Sequence, residues 1–211
     1  MHQTTPSSLS LDAQYQQLAY RLSNWHRRTI PDEPEVRRAA VVIALYERFG
    51  ELHFLMIKRA SHGSNAGQWA LPGGRIDRDE TVVETALREL HEETALSGTP
   101  KDVLGLLDDY PASRGIVITP VIVRLLGAQH PRRSPAEVAS LHPLGLDRLT
   151  AEGVPRWTVS PTGQKLLQLP LRHDMVVHAP TGAILWQFAE VALRGRSLRV
   201  ADLHEPWFTA R

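Results

Sequence analysis

The chain has no cysteine. Disulfides, thiolate metal sites and cysteine nucleophiles are therefore excluded together, and a reducing, cytoplasmic location is expected. Long apolar runs are also missing. The longest, Ala39–Tyr46, has eight residues, whereas a membrane span needs about twenty, so no membrane partner is expected. The opening Met1-His2-Gln3-Thr4-Thr5 has no basic stretch followed by an apolar core, and no secretory signal is expected. An excess of one charge is lacking too. Twenty-four Lys+Arg oppose 23 Asp+Glu for a net +1. Without a global basic field a nucleic-acid partner is not expected, and any anionic ligand must be held locally. What remains is ordinary for a globular chain: 211 residues, 42% hydrophobic and 22% charged. That length suits one domain with a terminal extension.

Residues 1–34 read as the extension and 35–211 as the main domain. Ser10 or Asp12 is positioned to cap a helix on which Tyr15, Leu18, Ala19, Leu22 and Trp25 recur at helical spacing, ended by Pro31 and Pro34. The helix is expected to pack on the domain's flank, a homodimer contact being the alternative. Ala39–Tyr46 and Leu52–Lys58 read as strands of a hairpin turning at Gly50. Residues 59–74 are glycine-rich and irregular, and Glu80–Thr94 is strongly helical. Val103–Tyr110, Ile116–Leu125 and Val138–His142 are further strand candidates, with a polar loop over 127–136 and one or two helical turns over Leu144–Thr150. Trp157–Val177 is ambiguous, with strands about a turn at Pro161-Thr162-Gly163. Thr181–Leu193 reads as a last helix, capped by Thr181 and stopped near Gly195. This mixture predicts an α/β sandwich.

The chemistry concentrates between Gly74 and Leu96. Seven acids (Asp77, Asp79, Glu80, Glu84, Glu89, Glu92, Glu93) face three bases (Arg75, Arg78, Arg88), a local net charge of −4. On a helix at about 100° per residue, with Glu89 at zero, Glu92 falls near −60° and Glu93 near +40°. Val83, Ala86, Leu87, Leu90 and Thr94 gather on another arc centred near 110°. One face can pack on a sheet while its neighbour collects carboxylates. Such carboxylates repel and raise one another's pKa. A hard divalent cation, Mg²⁺ or Mn²⁺, relieves that repulsion through oxygen ligands. The alternative is a solvated acidic face. The preceding Leu71-Pro72-Gly73-Gly74 permits a tight turn and a close approach to backbone.

The spacing Gly74-x5-Glu80-x7-Arg88-Glu89-Leu90-x-Glu92-Glu93-x-Ala95-Leu96 resembles the signature box of the Nudix hydrolases. Ala95 stands where that box has glycine, at the helix end, so at most a local backbone change is expected. The resemblance covers about residues 36–195 and implies an α/β/α sandwich with a mixed sheet. It also implies cleavage of a nucleoside diphosphate linked to another group. By position, Glu89, Glu92 and Glu93 are the implied metal ligands, with the Gly74 carbonyl as a further ligand and Glu80 in support. Arg88 is implied to orient an acidic side chain by ion pairing. Metal-held water is then activated for attack on phosphorus, and its proton goes to Glu93, Glu92 or Glu137. Glu137 is a candidate because it lies in the loop before a short strand, where relatives often carry an extra carboxylate.

Upstream, Leu55, Arg59, Ala60, Gly67 and Pro72-Gly73-Gly74 resemble the coenzyme A diphosphatase branch of the same family. Ile57 and Leu71 depart from that pattern, the segment is one residue shorter, and Gly63 or Ser64 stands where the branch has a second arginine. CoA or an acyl-CoA is the substrate this suggests; ADP-ribose, a nucleotide sugar or a dinucleotide is the alternative. Arg59 and Arg114 are candidate phosphate contacts and Tyr110 a candidate base-stacking ring. His91, near −160° on the wheel, faces solvent, while His62 stays open. Three readings from other classes stand beside these. A non-catalytic nucleotide sensor of Nudix fold usually has a decayed box, and this box keeps every carboxylate. An isomerase of the same fold needs a cysteine. An assembly protein would use the apolar residues Leu185, Trp186 and Phe188.

Overall fold

The computed structural model describes residues 9–61 and 66–206. Among the described residues three α-helices, α1 (Leu11–Ser23), α2 (Val82–Thr94) and α3 (Thr181–Phe188), accompany eleven strands. The first eight strands are β1 (Arg37–Arg48), β2 (Glu51–Arg59), β3 (Trp69–Ala70), β4 (Gly73–Arg75), β5 (Val103–Leu106), β6 (Tyr110–Ala112), β7 (Ile116–Arg124) and β8 (Val138–Gly145). They form one mixed sheet, β1 and β7 pairing in parallel and the other pairs antiparallel. The strands β9 (Arg156–Val159), β10 (Lys165–Arg172) and β11 (Met175–His178) make a separate antiparallel meander.

The strand period of two gives β1 two apolar faces, because it is buried on both sides. Ala40, Val42, Ala44 and Tyr46 join Leu55, Val121, Val123, Ala86 and Leu90 in a core beneath α2. Ile43 and Leu45 point the other way, into a larger core with Phe54, Met56, Ile122 and residues of α1, α3 and the meander. The sandwich expected from the sequence is thus formed, with helices on both faces of the mixed sheet.

Ser10 caps α1, its hydroxyl accepting from the Ala13 N–H at 3.2 Å. Tyr15, Leu18 and Leu22 enter the larger core. That apolar stripe is used within the fold, on the domain's flank. Leu185 and Phe188 are likewise fully buried, which withdraws them from an assembly surface.

Several boundaries differ from the sequence reading. Val103–Tyr110 is not one strand: Leu107–Asp109 separate β5 from β6, because Asp108 and Asp109 turn their carboxylates onto the N-terminal segment. Asp109 accepts from Arg27 (2.5 Å), Arg38 (3.0 Å), Thr119 (2.6 Å) and the Ile30 N–H (2.9 Å). Asp108 accepts from Trp25, Gln187, Arg199 and the Arg28 N–H. The strand at Val138 runs on to Gly145, where helical turns were expected to begin a residue earlier; β8 pairs only with β2 and so tolerates Pro143 as an edge strand does. The last helix starts on Thr181, but Pro180 occupies the cap position and no side chain caps it. The turn then widens into a π-helical segment over Ala189–Leu193.

Candidate active site

Helix α2 begins two residues later than its periodicity suggests. Thr81 is its cap: the Thr81 hydroxyl accepts from the Glu84 N–H at 3.2 Å and the Glu84 carboxylate accepts from the Thr81 N–H at 2.8 Å, the reciprocal pair of a capping box. Glu80 therefore lies in the turn ahead of the helix. At the other end Ala95 closes the helix in the left-handed conformation (φ 58°, ψ 13°), its N–H donating to the His91 carbonyl. Ala86 and Leu90 dock the helix on the sheet. This fixes the heights of Glu89, Glu92 and Glu93.

The loop before the helix is brought in by β4, whose Gly74 pairs with Ala40 of β1. A Cβ on Gly74 would lie 2.2 Å from the Glu89 Oε1. With glycine there, the Glu89 carboxylate sits directly against the backbone; a side chain at this position would have to push that carboxylate aside.

Arg88 is the hub of the acidic cluster. Its Nε donates to Glu80 at 2.7 Å, and its Nη1 to Glu89 at 2.8 Å and Glu92 at 3.0 Å. A further bond reaches the Arg75 carbonyl at 3.4 Å. Glu80 also accepts from Thr85 at 2.7 Å, and these bonds hold its carboxyl down at about 2. The same contacts keep Arg88 more firmly protonated than a free guanidinium.

Glu93 is different. It is 2% exposed, and burial pushes its carboxyl up to about 7. The Gly73 N–H, 3.0 Å away, and Arg59, 3.9 Å away, pull it down; the charges of Glu89 and Glu137 push it up. Burial also raises Glu89, against the opposing pull of Arg88 and with added repulsion from Glu92 and Glu137. Glu137 thus acts electrostatically on both raised carboxylates. Backbone bonds place it: Ser134 N–H donates to the Glu93 carbonyl at 3.0 Å, Arg132 N–H to Thr94 at 2.7 Å, and Ala60 N–H to the Glu137 carbonyl at 2.9 Å. Glu92 and Glu137 are exposed. His91 faces solvent and touches Ser97.

The donor chemistry suits a hard cation, since repelling carboxylates surround a glycine-opened backbone. As the side chains stand, no three acidic or histidine groups among the described residues gather at metal-binding spacing. Arg88 instead supplies the neutralising charge for Glu80, Glu89 and Glu92.

Beside Glu93 opens a cavity of about 210 Å³ lined by Arg37, Arg59, Arg75, Arg114, Trp69 and Thr181, among others. Arg59 and Arg114 of the sequence candidates are both there. Tyr110 is not. Its ring is 1% exposed in the core, and its hydroxyl donates to the Leu203 carbonyl at 2.5 Å, so it offers no face to a base. Its apolar body between two strand segments was the overlooked signal. Arg37 and Arg75 were missed as lining residues because their meeting depends on strand pairing. His62, and the Gly63 and Ser64 positions lacking the second arginine, lie outside the described residues.

A NUDIX domain family model matches residues 36–159. The chain is 37% identical over 112 residues to the uncharacterized Nudix hydrolase NudL of Enterobacter sp. (strain 638), covering 52% of this chain and 58% of that one. It is 38% identical over 119 residues to the NudL protein of Pectobacterium atrosepticum, covering 54% and 60%. The chain therefore matches somewhat under two thirds of these relatives' length. The fold is similar to that of RenU, a Nudix hydrolase from M. smegmatis (TM-score 0.51, 22% identity, 76% of this chain and 88% of that one). By the residues matched, which span more than half of its length, the chain belongs to the Nudix family.

Proposed function

We propose that the protein is a Mg²⁺- or Mn²⁺-dependent hydrolase that cleaves the diphosphate linkage of a nucleoside diphosphate derivative, with CoA or an acyl-CoA as the substrate. The observation that carries this reading is the buried Glu93, which accepts from the Gly73 N–H and faces Arg59, two residues that line an arginine-rich cavity. Glu89, Glu92 and Glu93, with the Gly74 backbone and Glu80 in support, are the groups that would hold the cation. When bound, the cation neutralises phosphate oxygens and acidifies the attacking water.

The chain's own residues do the rest. Glu93, which accepts from the Gly73 N–H and faces Arg59, is the first candidate to accept the water's proton. Glu137 is the second candidate base, reaching the same site from the opposite loop. Arg88 fixes the carboxylates' positions through Glu80 and yields charge to the cation at Glu89 and Glu92. Arg59 orients a phosphate oxygen beside Glu93. ADP-ribose, a nucleotide sugar or a dinucleotide is the alternative substrate class, since the acidic helix selects the diphosphate and not its second substituent. Residues 1–34 are taken as an extension of the domain formed by 35–211, supported by the Asp108 and Asp109 bonds that tie residues 25–30 to it.

Turnover in the purified protein tests this reading. Glu92→Gln and Glu93→Gln should each lower kcat by about a hundredfold or more, and EDTA should abolish activity reversibly. Near-normal rates in both variants would reject the site, and activity persisting in excess chelator would reject the mechanism.

A further inference from the structure

We propose that Arg37, Arg75 and Arg114 form a subsite for a second anionic group on the substrate, a phosphate monoester distinct from the diphosphate that is cleaved. The inference rests on the diphosphate-hydrolase reading and narrows its substrate class.

The three arginines are far apart in sequence and are brought together by strand register. Arg75 of β4 lies opposite Ala39 of β1, and Arg37 is two residues before Ala39. Positions two apart, and positions directly opposite, project from the same face of a sheet. On the other edge of β1, Arg37 aligns with Ile116 of β7, two residues after Arg114. Arg114 sits in the turn before that strand with a left-handed backbone (φ 61°). Its carbonyl accepts from the Arg37 Nη2 at 2.5 Å, which ties the two together. All three line the cavity that also contains Arg59, itself 3.9 Å from Glu93.

Charge bookkeeping sets this cluster apart. Arg27, Arg38, Arg59 and Arg88 all face carboxylates. Arg37, Arg75 and Arg114 make no salt bridge with any described residue. The acid in the cavity, Glu205, is occupied: its carboxylate accepts from the Ser113 N–H at 2.8 Å and the Ser113 hydroxyl at 2.9 Å. With Arg59 beside these three guanidiniums and Glu205 the acid of the lining, the concavity keeps a net positive charge that attracts a multiply charged anion. Their forked donors match phosphate oxygens. A diphosphate seated at Glu93 would be served by Arg59 and the acidic helix; the other three have no charge to meet unless the substrate carries one more. A nucleoside diphosphate derivative with an additional phosphate on the nucleoside meets that requirement. ADP-ribose and common nucleotide sugars do not.

The test compares CoA with 3′-dephospho-CoA, which differ by that one phosphate, and measures calorimetric binding of 3′,5′-ADP and 5′-AMP to the metal-free protein. The proposal predicts at least about a tenfold preference for the phosphorylated member in kcat/KM and in Kd, each decade being one good charge-assisted contact. In Arg37→Gln/Arg114→Gln both ratios should fall towards one. Arg75→Gln, a single exposed change, should lower them partway and serves as the second variant should the double one misfold. Equal cleavage of the two compounds by the unmodified protein, with equal binding of the two nucleotides, would overturn the subsite and leave the hydrolase reading standing. A preference that survives the variants would also overturn it. Preferential binding of 3′,5′-ADP without cleavage of either compound would support the subsite and remove the hydrolase reading.

Discussion

Replacing Glu93 by glutamine should stabilise the metal-free protein while disabling it. The side chain is 2% exposed and its carboxyl is raised from 4.5 to about 7, chiefly by burial. A carboxyl raised on folding gives stability that is complete below the unfolded value and is lost as pH climbs through the folded value. The window therefore runs from 4.5 to about 7. At about 1.4 kcal/mol per pKa unit, an ionised Glu93 costs the fold about 3 kcal/mol above that window. Glutamine has the shape of the protonated acid, and its amide oxygen can keep accepting from the Gly73 N–H. For a chain of this length 1 kcal/mol moves Tm by about 2–4 °C. The variant should thus melt about 6–12 °C above the unmodified protein at about pH 8 in EDTA, and within about 3 °C of it at about pH 5. Excess Mg²⁺ should narrow the gap at high pH by stabilising only the unmodified protein. Calorimetry or thermal melts followed by circular dichroism would measure this. A variant less stable at pH 8, or a gap that does not change with pH, would refute the reasoning.

Two further predictions concern the scaffold. Ala95→Gly should raise stability by about 0.5–1 kcal/mol, since the left-handed position costs a non-glycine residue about 1–2 kcal/mol and glycine's greater unfolded entropy returns part of the gain; an unchanged or lower denaturation midpoint would contradict this. Asp109→Asn should cost about 2–4 kcal/mol, because it leaves Arg27 and Arg38 facing a buried neutral group. Asp109 is held below its ordinary 3.8 by its hydrogen bonds and by Arg27, against the opposing effect of burial. Its stabilising contribution is therefore present above 3.8 and disappears as pH falls through the lower folded value, so the penalty should shrink in acid. A midpoint equal to that of the unmodified protein at neutral pH would sink the assignment.

What the sequence disclosed follows from local physics. The hairpin at Gly50, the acidic helix and the polar loop over 127–136 come from periodicity and turn chemistry acting over a few residues. The helical wheel already placed Glu93 nearer the apolar arc than Glu92, and the structure buries Glu93 and exposes Glu92. Misread features depend on distant partners. The helical pattern reads from Glu80, whereas Thr81 with Glu84 sets the boundary. Asp108 and Asp109 break a strand to bind a segment about eighty residues earlier. Tyr110 looked like a loop ring but completes the core. Arg37 and Arg75 meet Arg114 only through the pairing of β4, β1 and β7, which no local pattern specifies.

The most direct test is to incubate the purified protein with Mg²⁺ and a mixture of CoA, ADP-ribose, NADH and nucleotide sugars, reading products by mass spectrometry alongside Glu92→Gln as a control. The account predicts loss of CoA with formation of 4′-phosphopantetheine and 3′,5′-ADP, and no such loss with the variant. Every diphosphate remaining intact, or equal loss with Glu92→Gln, would contradict it.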